Sequence, residues 1–204
     1  MTRANAGAAA SRVRDFYEGK YAGGEEIQRT SKLYTLDCIP STGPPLQILD
    51  IGCGTGLNSR AMAAKGHRVA GVDISEHAIA RYRESGFDGR TMDIESGLDF
   101  ADESFDLVFC SEVIEHLVRP ERLVAEVHRV LRPGGRLVLS TPNSAFWLYR
   151  VLGLLGWVVS EIQHPMHLRF FSRASLKRLL EAAGFRTRDV LGRNMYLILS
   201  LIHI

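Results

Sequence analysis

The sequence lacks the features that mark disulfide-rich, zinc-binding, membrane-spanning, secreted and nucleic-acid-binding proteins. Its 204 residues include three cysteines, Cys38, Cys53 and Cys110, and an odd number at such separations gives neither a disulfide framework nor the paired spacing of a zinc site. No apolar run reaches the about 20 residues that span a bilayer, and residues 1–14 lack the apolar stretch of a signal peptide. The formal net charge is only +2 and the basic residues are scattered, which argues against nucleic acid as a partner. We therefore expect a cytoplasmic protein that acts on a small molecule.

What the chain does have is enough apolar material for one full core. Hydrophobic residues make up 46% of it, and apolar, strand-like runs alternate with helix-compatible stretches without a repeat or a change of composition. The alternation predicts a single α/β domain over residues 1–204, with a doubly wound, mostly parallel sheet of six to seven strands. Residues 1–40 are expected to form an N-terminal arm and helices, with one helix near residues 13–17. Residues 46–142 are expected to form the ligand-binding core.

A glycine-rich turn follows the first strand-like run. Its three glycines occupy alternate positions: Gly52, Gly54 and Gly56. Glycine permits the backbone angles of a tight turn and the close approach of a ligand to the main chain. The dinucleotide fingerprint needs glycine or alanine where this chain has Leu57, so the spacing disfavours a pyrophosphate-bearing ligand and, with it, a dehydrogenase. This departure, with the acid Asp50 just before the first glycine, resembles motif I of the class I S-adenosylmethionine-dependent methyltransferases, and the resemblance implies a ligand whose amino group and cationic sulfonium suit the Asp50 carboxylate. A nucleotide-binding domain of another kind remains the alternative.

Acidic residues follow the next two strand-like segments. Asp73 ends the apolar run 68–72, and Ser75 then suits the N-cap of a helix. An acid at the carboxyl end of a parallel strand can accept hydrogen bonds from both ribose hydroxyls. Asp93 follows the third segment in the same way. For both aspartates the alternative is a simple turn or cap residue.

These motifs together resemble those of the class I S-adenosylmethionine-dependent methyltransferases, which have a Rossmann-like sheet. The strand of residues 105–111 and the phrase L-R-P-G-G-R-L-V-L-S at residues 131–140 are similar to the same family. The resemblance implies that S-adenosylmethionine is the cofactor and that Asp93 accepts a hydrogen bond from its adenine amino group, with Ile74 and Ile94 flanking the ring. The cofactor-binding set that we predict is Asp50, Gly52, Gly54, Gly56, Asp73, Ile74, Asp93, Ile94, Cys110 and Ser111.

A cluster of ionisable side chains follows the fourth strand. Glu112, Glu115 and His116 have the i, i+3, i+4 spacing of one helix face, and the resemblance places them at the methyl end of the cofactor. If the acceptor is a hydroxyl, its proton must be removed, and histidine titrates near neutrality. The predicted catalytic residues are therefore His116, His167 and Glu112. His116 packing within its helix and His167 holding a lid closed remain the alternatives.

The same three side chains raise the question of a metal. A divalent ion could bind the face of Glu112, Glu115 and His116, and the resemblance allows an ion that holds a catechol-like acceptor. Three ligands on one short helix rarely suffice for tight binding. No metal site is therefore predicted.

An apolar segment with two tryptophans follows the fifth strand. Residues 145–159 carry one charge, on Arg150, and residues 143–171 as a whole are expected to form a lid or acceptor segment. Two interpretations remain open: a helix packed over the acceptor pocket, or peripheral docking of Trp147 and Trp157 on a membrane that carries an apolar substrate.

The order of motifs narrows the resemblance. The phrases S-E-V-I-E-H, S-T-P-N and H-x-x-H-x-R-F-F-S, with the apolar insertion between the last two, are similar over residues 46–190 to the ubiquinone-biosynthesis O-methyltransferases and their uncharacterised relatives. The resemblance implies methyl transfer to a small, hydroxyl-bearing, apolar acceptor. A non-catalytic partner subunit that binds S-adenosylmethionine is the alternative.

The last six residues need a separate interpretation. Residues 199–204, Leu-Ser-Leu-Ile-His-Ile, are also the in-frame translation of the transposon end used in sequencing libraries. The match predicts that these residues are foreign to the native chain, and coincidence is the alternative. In either case residues 195–204 are all that remains for a seventh strand.

Overall fold

A seven-stranded sheet organises the chain. The computed structural model describes residues 3–23, 35–193 and 196–203, and its strands have the order β3-β2-β1-β4-β5-β7-β6. The strands are β1 Gln47–Ile51, β2 Arg68–Asp73, β3 Asp88–Thr91, β4 Phe105–Ser111, β5 Leu131–Pro142, β6 Phe185–Arg193 and β7 Tyr196–His203. The strands from β1 to β5 pair in parallel, and β7 lies antiparallel between β5 and β6. The predicted mostly parallel α/β sheet is confirmed.

Helices connect the strands as the alternation predicted. They are α1 Arg3–Ala22, α2 Leu57–Ala64, α3 Glu76–Glu84, α4 Pro120–Val130, α5 Trp147–Leu154, α6 Val159–Ile162 and α7 Arg173–Ala182, and a 3-10 turn spans Ile114–His116. Ser75 caps α3 by accepting a hydrogen bond from the Ala78 amide at 3.1 Å.

Both faces of the sheet are buried. Along β4, Leu107 and Phe109 belong to one apolar cluster, and Val108 and Cys110 belong to the other. Alternate side chains of a strand point to opposite faces, so a strand covered on both sides reads as a continuous apolar run. This is the doubly wound arrangement, and its ligand crevice lies at the carboxyl ends of β1 and β4, where the strand order reverses.

One local expectation was wrong. The N-terminal helix spans Arg3–Ala22 rather than only residues 13–17, and its alanine content explains the extension because alanine has the highest helix propensity. Within β5 the stretch 132–135 bulges, since Phe105 pairs with Leu131 and the next pair in the register joins Leu107 to Arg136.

The last strand packs into the sheet. Leu199 and Leu201 are buried, and they pair with Leu139 and Leu137 of β5. The foreign origin of residues 199–204 stays a prediction. Within the described ranges, no helix combines the length and the apolar character that crossing a bilayer requires.

Candidate functional site

A central cavity lies at the carboxyl ends of β1, β2 and β4. The residues that line it come from the glycine turn, from the loops after β2, β3 and β4, and from α1. They include Val13, Tyr17, Tyr21, Gly52, Gly54, Asp73, Ile74, Asp93, Ile94, Ser111, Glu112 and His116. Seven of the ten predicted cofactor-binding residues line this cavity, whereas Asp50, Gly56 and Cys110 do not.

The glycine turn requires glycine for two reasons. Gly52 and Gly54 have φ of +73° and +53°, a region that a Cβ disfavours. A Cβ on Gly52 would lie 2.4 Å from Cγ2 of Val113, and one on Gly54 would lie 2.7 Å from the hydroxyl of Tyr21. Gly56 also has a positive φ, but it faces Tyr82 rather than the cavity. The lack of a Cβ thus lets Val113 and Tyr21 pack against the turn, and both glycines line the cavity.

Asp73 connects the glycine turn to the end of β2. Its carboxylate accepts hydrogen bonds from the amides of Gly54 at 2.9 Å and Ser75 at 3.0 Å. Burial raises the pKa of Asp73, although these amides act in the opposite direction. The side chain is held in one orientation at the wall of the cavity. That orientation suits the predicted contact with ribose.

Asp50 does not face the cavity, contrary to the prediction that it meets the ligand directly. Its carboxylate accepts a hydrogen bond from the Ser59 hydroxyl at 2.5 Å, and that hydroxyl accepts one from Tyr82 at 2.9 Å. Asp50 shares the pleat face of Ile48, which directs it toward α2 and beneath the turn. Burial raises the pKa of Asp50 to about 7, against the effect of the Ser59 hydrogen bond. Asp50 therefore supports the turn from below.

Cys110 is a core residue rather than a cavity residue. It is 1% exposed and packs in the larger apolar cluster with Leu49 and Ile51, because its pleat face is the one opposite to Phe109. The neighbouring Ser111 lines the cavity and lies 2.8 Å from the hydroxyl of Ser140.

Asp93 caps a turn and also lines the cavity. Its carboxylate accepts hydrogen bonds from the Glu95 amide at 3.0 Å and the Ser96 hydroxyl at 3.3 Å, so it caps the turn after β3. It lines the cavity together with Ile74 and Ile94. The contact of these three residues with adenine stays a prediction.

The predicted helix face of Glu112, Glu115 and His116 does not form. Glu112 has a φ of +57°, and this left-handed residue turns the chain before the short 3-10 turn. The Glu112 and Glu115 carboxylates accept hydrogen bonds from Ser140 and Thr141 of β5, each at 3.0 Å. Glu112 and His116 nevertheless line the same cavity.

The two predicted catalytic histidines have different positions. His116 lines the cavity; its Nδ1 lies 2.9 Å from the Met166 carbonyl and its Nε2 lies 3.2 Å from the Tyr17 hydroxyl. A carbonyl can only accept, so Nδ1 carries the proton and Nε2 presents its lone pair. His167 lies behind His116, with ring centroids 4.9 Å apart, and its Nδ1 is 3.0 Å from Oε1 of Gln163. His167 is not among the residues that line the cavity.

Three of these side chains could together hold a metal ion. Glu115, His116 and His167 each offer a ligand atom within 4.8 Å of the others, a set that spacing along one helix could not reveal because His167 comes from a distant segment. In the structure both nitrogens of His116 already have hydrogen-bond partners. The cluster is thus arranged for hydrogen bonding, and an ion on Nε2 would have to displace Tyr17.

The sequence interpretation missed the part that α1 plays. Val13, Tyr17 and Tyr21 line the cavity, and their i, i+4, i+8 spacing is the signal that could have identified a helix face here. No residue of the described range 145–159 lines the cavity, and Trp147, Leu154 and Trp157 are exposed. A lid over the acceptor pocket stays a prediction, while α1 covers the glycine turn.

The chain matches a family described as a methyltransferase domain over residues 22–190. It is 37% identical over 149 residues to the ubiquinone biosynthesis O-methyltransferase of Idiomarina loihiensis, an alignment that covers 68% of this chain and 60% of that relative. The chain thus spans about three fifths of the length of this relative.

Solved structures share the fold at lower identity. The 1,6-didemethyltoxoflavin-N1-methyltransferase of Burkholderia thailandensis, with 1,6-didemethyltoxoflavin and S-adenosylhomocysteine bound, has a TM-score of 0.74 at 21% identity, over 97% of this chain and 90% of that chain. The [4+2]-cyclase SpnF has a TM-score of 0.70 at 21% identity, over 87% of this chain and 83% of that chain. One fold thus serves different reactions, so the chemistry has to be argued from the site.

Proposed function

Because the chain belongs to the class I S-adenosylmethionine-dependent methyltransferases, we propose that it transfers a methyl group from S-adenosylmethionine to the oxygen of a small, apolar, hydroxyl-bearing acceptor. The observation that carries this proposal is that the glycine turn, Asp73, Asp93 and His116 all open on one cavity. The cofactor half of that cavity and a basic nitrogen are therefore adjacent.

The cavity offers a matching group for each part of the cofactor. Asp73 would accept hydrogen bonds from the ribose, and Asp93 would accept one from the adenine amino group between Ile74 and Ile94. The main chain at Gly54 would lie against the amino acid portion. Bound in this way, the cofactor supplies an activated methyl group on its sulfonium.

His116 is proposed as the base for the acceptor. The acceptor hydroxyl would take the place of the Tyr17 hydroxyl at Nε2 and give up its proton there. The acceptor oxygen would then form a bond to the methyl carbon while the bond between that carbon and the sulfur breaks. The electron pair of the broken bond would stay on the sulfur, which becomes a neutral thioether. Orientation is worth effective molarities of about 10⁵ to 10⁸ M, whereas a base contributes about 10² to 10⁴-fold. Alignment is therefore the larger contribution.

Glu112 and His167 would assist the transfer in different ways, Glu112 by binding the acceptor and His167 by orienting His116. The Glu112 carboxylate, held by Ser140, is a hydrogen-bond acceptor for a second polar group of the acceptor. His167 would orient His116 through their ring contact. The O-methyltransferases at moderate identity support oxygen as the acceptor atom, while the fold also occurs in an N1-methyltransferase.

The test compares variants in single-turnover assays against a panel of phenols and catechols with apolar substituents. His116→Ala should lower the methyl-transfer rate by about 10² to 10⁴-fold without changing the affinity for S-adenosylhomocysteine, and His167→Ala should lower it less. Unchanged rates in both variants would remove the base role. Binding of S-adenosylhomocysteine without any methylated product across the panel would favour the alternative, a non-catalytic partner subunit.

The apolar segment supports a proposal about where the acceptor comes from. Trp147, Leu154, Leu155 and Trp157 are 57 to 88% exposed, and Arg150 belongs to the same segment. Tryptophan beside a basic residue suits the interface of an anionic membrane. We propose that residues 145–159 dock there and take up an apolar acceptor from the lipid.

Co-sedimentation with vesicles that contain anionic lipid tests this docking. The double variant Trp147→Ser with Trp157→Ser should lose sedimentation, whereas Phe170→Ser, a matched exposed aromatic outside the segment, should retain it. Absence of the wild-type protein from the vesicle pellet would exclude membrane docking.

A further inference from the structure

The helix α1 lies directly over the glycine turn. Tyr21 is buried, and its hydroxyl occupies the space where a Cβ of Gly54 would be. Tyr17 reaches the other end of the cavity, where its hydroxyl contacts His116. A ligand that lies on the turn is therefore enclosed between the sheet and α1, and α1 must move for it to leave.

The Glu18 side chain joins α1 to the first turn of α3. The Glu18 carboxylate accepts hydrogen bonds from the Glu76 amide at 2.5 Å, the Ser75 hydroxyl at 3.0 Å and His77 Nδ1 at 2.6 Å. These donors form the first turn of α3, where a helix has unpaired amides and a positive dipole end. The carboxylate thus binds a helix N-terminus through several donors, and such charge-assisted hydrogen bonds are stronger than neutral ones.

The acidity of Glu18 agrees with this geometry. Burial would raise its pKa, but the hydrogen bonds from His77 and from the α3 amides outweigh that effect and hold the pKa below its ordinary value. The carboxylate is therefore ionised at neutral pH, which the contact with the helix N-terminus requires.

The same contact connects α1 to the ribose site. Ser75 donates its hydroxyl hydrogen to Glu18 and its amide hydrogen to Asp73, and Asp73 also accepts from the Gly54 amide. A ligand bound to Asp73 would hold Asp73 in place. Through its hydrogen bond with the Ser75 amide, it would also hold Ser75, whose hydroxyl donates to Glu18. Closure of α1 and occupation of the cavity should then favour each other.

We propose that α1 is a closing cover of the cofactor cavity and that Glu18, a positioning residue, holds it shut on the first turn of α3, so that release of this contact controls the departure of S-adenosylhomocysteine. The inference rests on the proposed function because it takes S-adenosylhomocysteine as the product. Glu18 contacts neither the acceptor nor the methyl group, so its effect is on retention and not on the chemical step.

The test measures the dissociation rate of S-adenosylhomocysteine by displacement with excess unlabelled ligand. Glu18→Ala should raise this rate about tenfold, and Glu18→Gln, which keeps acceptor and shape but loses the charge, should give an intermediate rise. Asp15→Ala removes an acid from the same helix whose described side-chain contact is with Ser11, and it should leave the rate unchanged. The single-turnover methyl-transfer rate of both Glu18 variants should match the wild type.

Hydrogen exchange provides the readout that a general loss of stability would not give. S-adenosylhomocysteine should slow amide exchange in residues 8–22 of the wild type, and this protection should be lost in Glu18→Ala while α4 remains protected. Wild-type dissociation rates and ligand protection in both Glu18 variants would overturn the cover proposal. Failure of the wild type to bind S-adenosylhomocysteine would instead overturn the proposed function.

Discussion

Replacing the buried acid beneath the glycine turn should change how stability depends on pH. Asp50 has an ordinary pKa of 3.8 that burial raises to about 7 in the folded protein. The folded protein therefore binds this proton more tightly than the unfolded chain does. The Asp50 contribution to the free energy of unfolding is fully present below pH 3.8 and is lost as pH rises through about 7.

The size of the effect follows from the same two values. A difference of about 3 pKa units at about 1.4 kcal/mol each corresponds to roughly 4 kcal/mol. An asparagine side chain at this position would match the protonated acid in shape and lack of charge, and its amide oxygen can still accept from Ser59. Asp50→Asn should therefore equal the wild type in stability near pH 4 and exceed it by up to roughly 4 kcal/mol at pH 8.

Urea unfolding from about pH 2 to about pH 8 measures this difference, and a second aspartate provides the opposite control. The Asp106 carboxylate is partly buried, but hydrogen bonds from the Gln47 amide and Arg132 hold its pKa below the ordinary value. Asp106→Asn should therefore lose stability at neutral pH and approach the wild type as pH falls below about 4. Parallel stability profiles for Asp50→Asn and the wild type would refute the argument that Asp50 is buried at an energetic cost.

Three further changes test other parts of the structure. Gly54→Ala should weaken S-adenosylhomocysteine binding in calorimetry, because a φ of +53° strains an alanine and its Cβ, 2.7 Å from the Tyr21 hydroxyl, would displace that side chain. Retained affinity would show that the turn can relax. Turnover should survive chelators because both His116 nitrogens are engaged, and inactivation that added Mg²⁺ or Zn²⁺ reverses would identify Glu115, His116 and His167 as ligands. Arg129→Ala should lower the free energy of unfolding by about 2 kcal/mol, since the guanidinium donates hydrogen bonds to Leu98, Phe100, Asp102 and Glu126. Arg129→Lys should recover part of this loss in the same denaturation assay. Wild-type stability of Arg129→Ala would contradict a stabilising role of these hydrogen bonds.

The local sequence was sufficient to predict those helices and strands whose formation depends on neighbouring residues. The start of α3 at Ser75 and the strands of the parallel core agree with the sequence predictions. Each depends on a cap or an apolar run within a few residues. The position of Asp73 at a strand end followed in the same way.

The orientation of individual side chains was harder to predict. Asp50 was assigned to the ligand because it adjoins the glycines, but the pleat of β1 turns it toward Ser59. Glu112 was placed on a helix face, but its left-handed backbone interrupts the helix. In both cases one backbone angle or one step along a strand reverses the direction of a side chain.

The sheet, the glycine turn and the family of the protein follow from the sequence alone, because these depend on spacing within short segments. The packing of distant segments was needed to show that His116 lines the cavity whereas His167 does not, and that α1 contributes to its wall. Those outcomes depend on contacts such as that between Tyr17 and His116, which are 99 positions apart. The spacing of residues in one segment carries no information about which distant segment will pack against it.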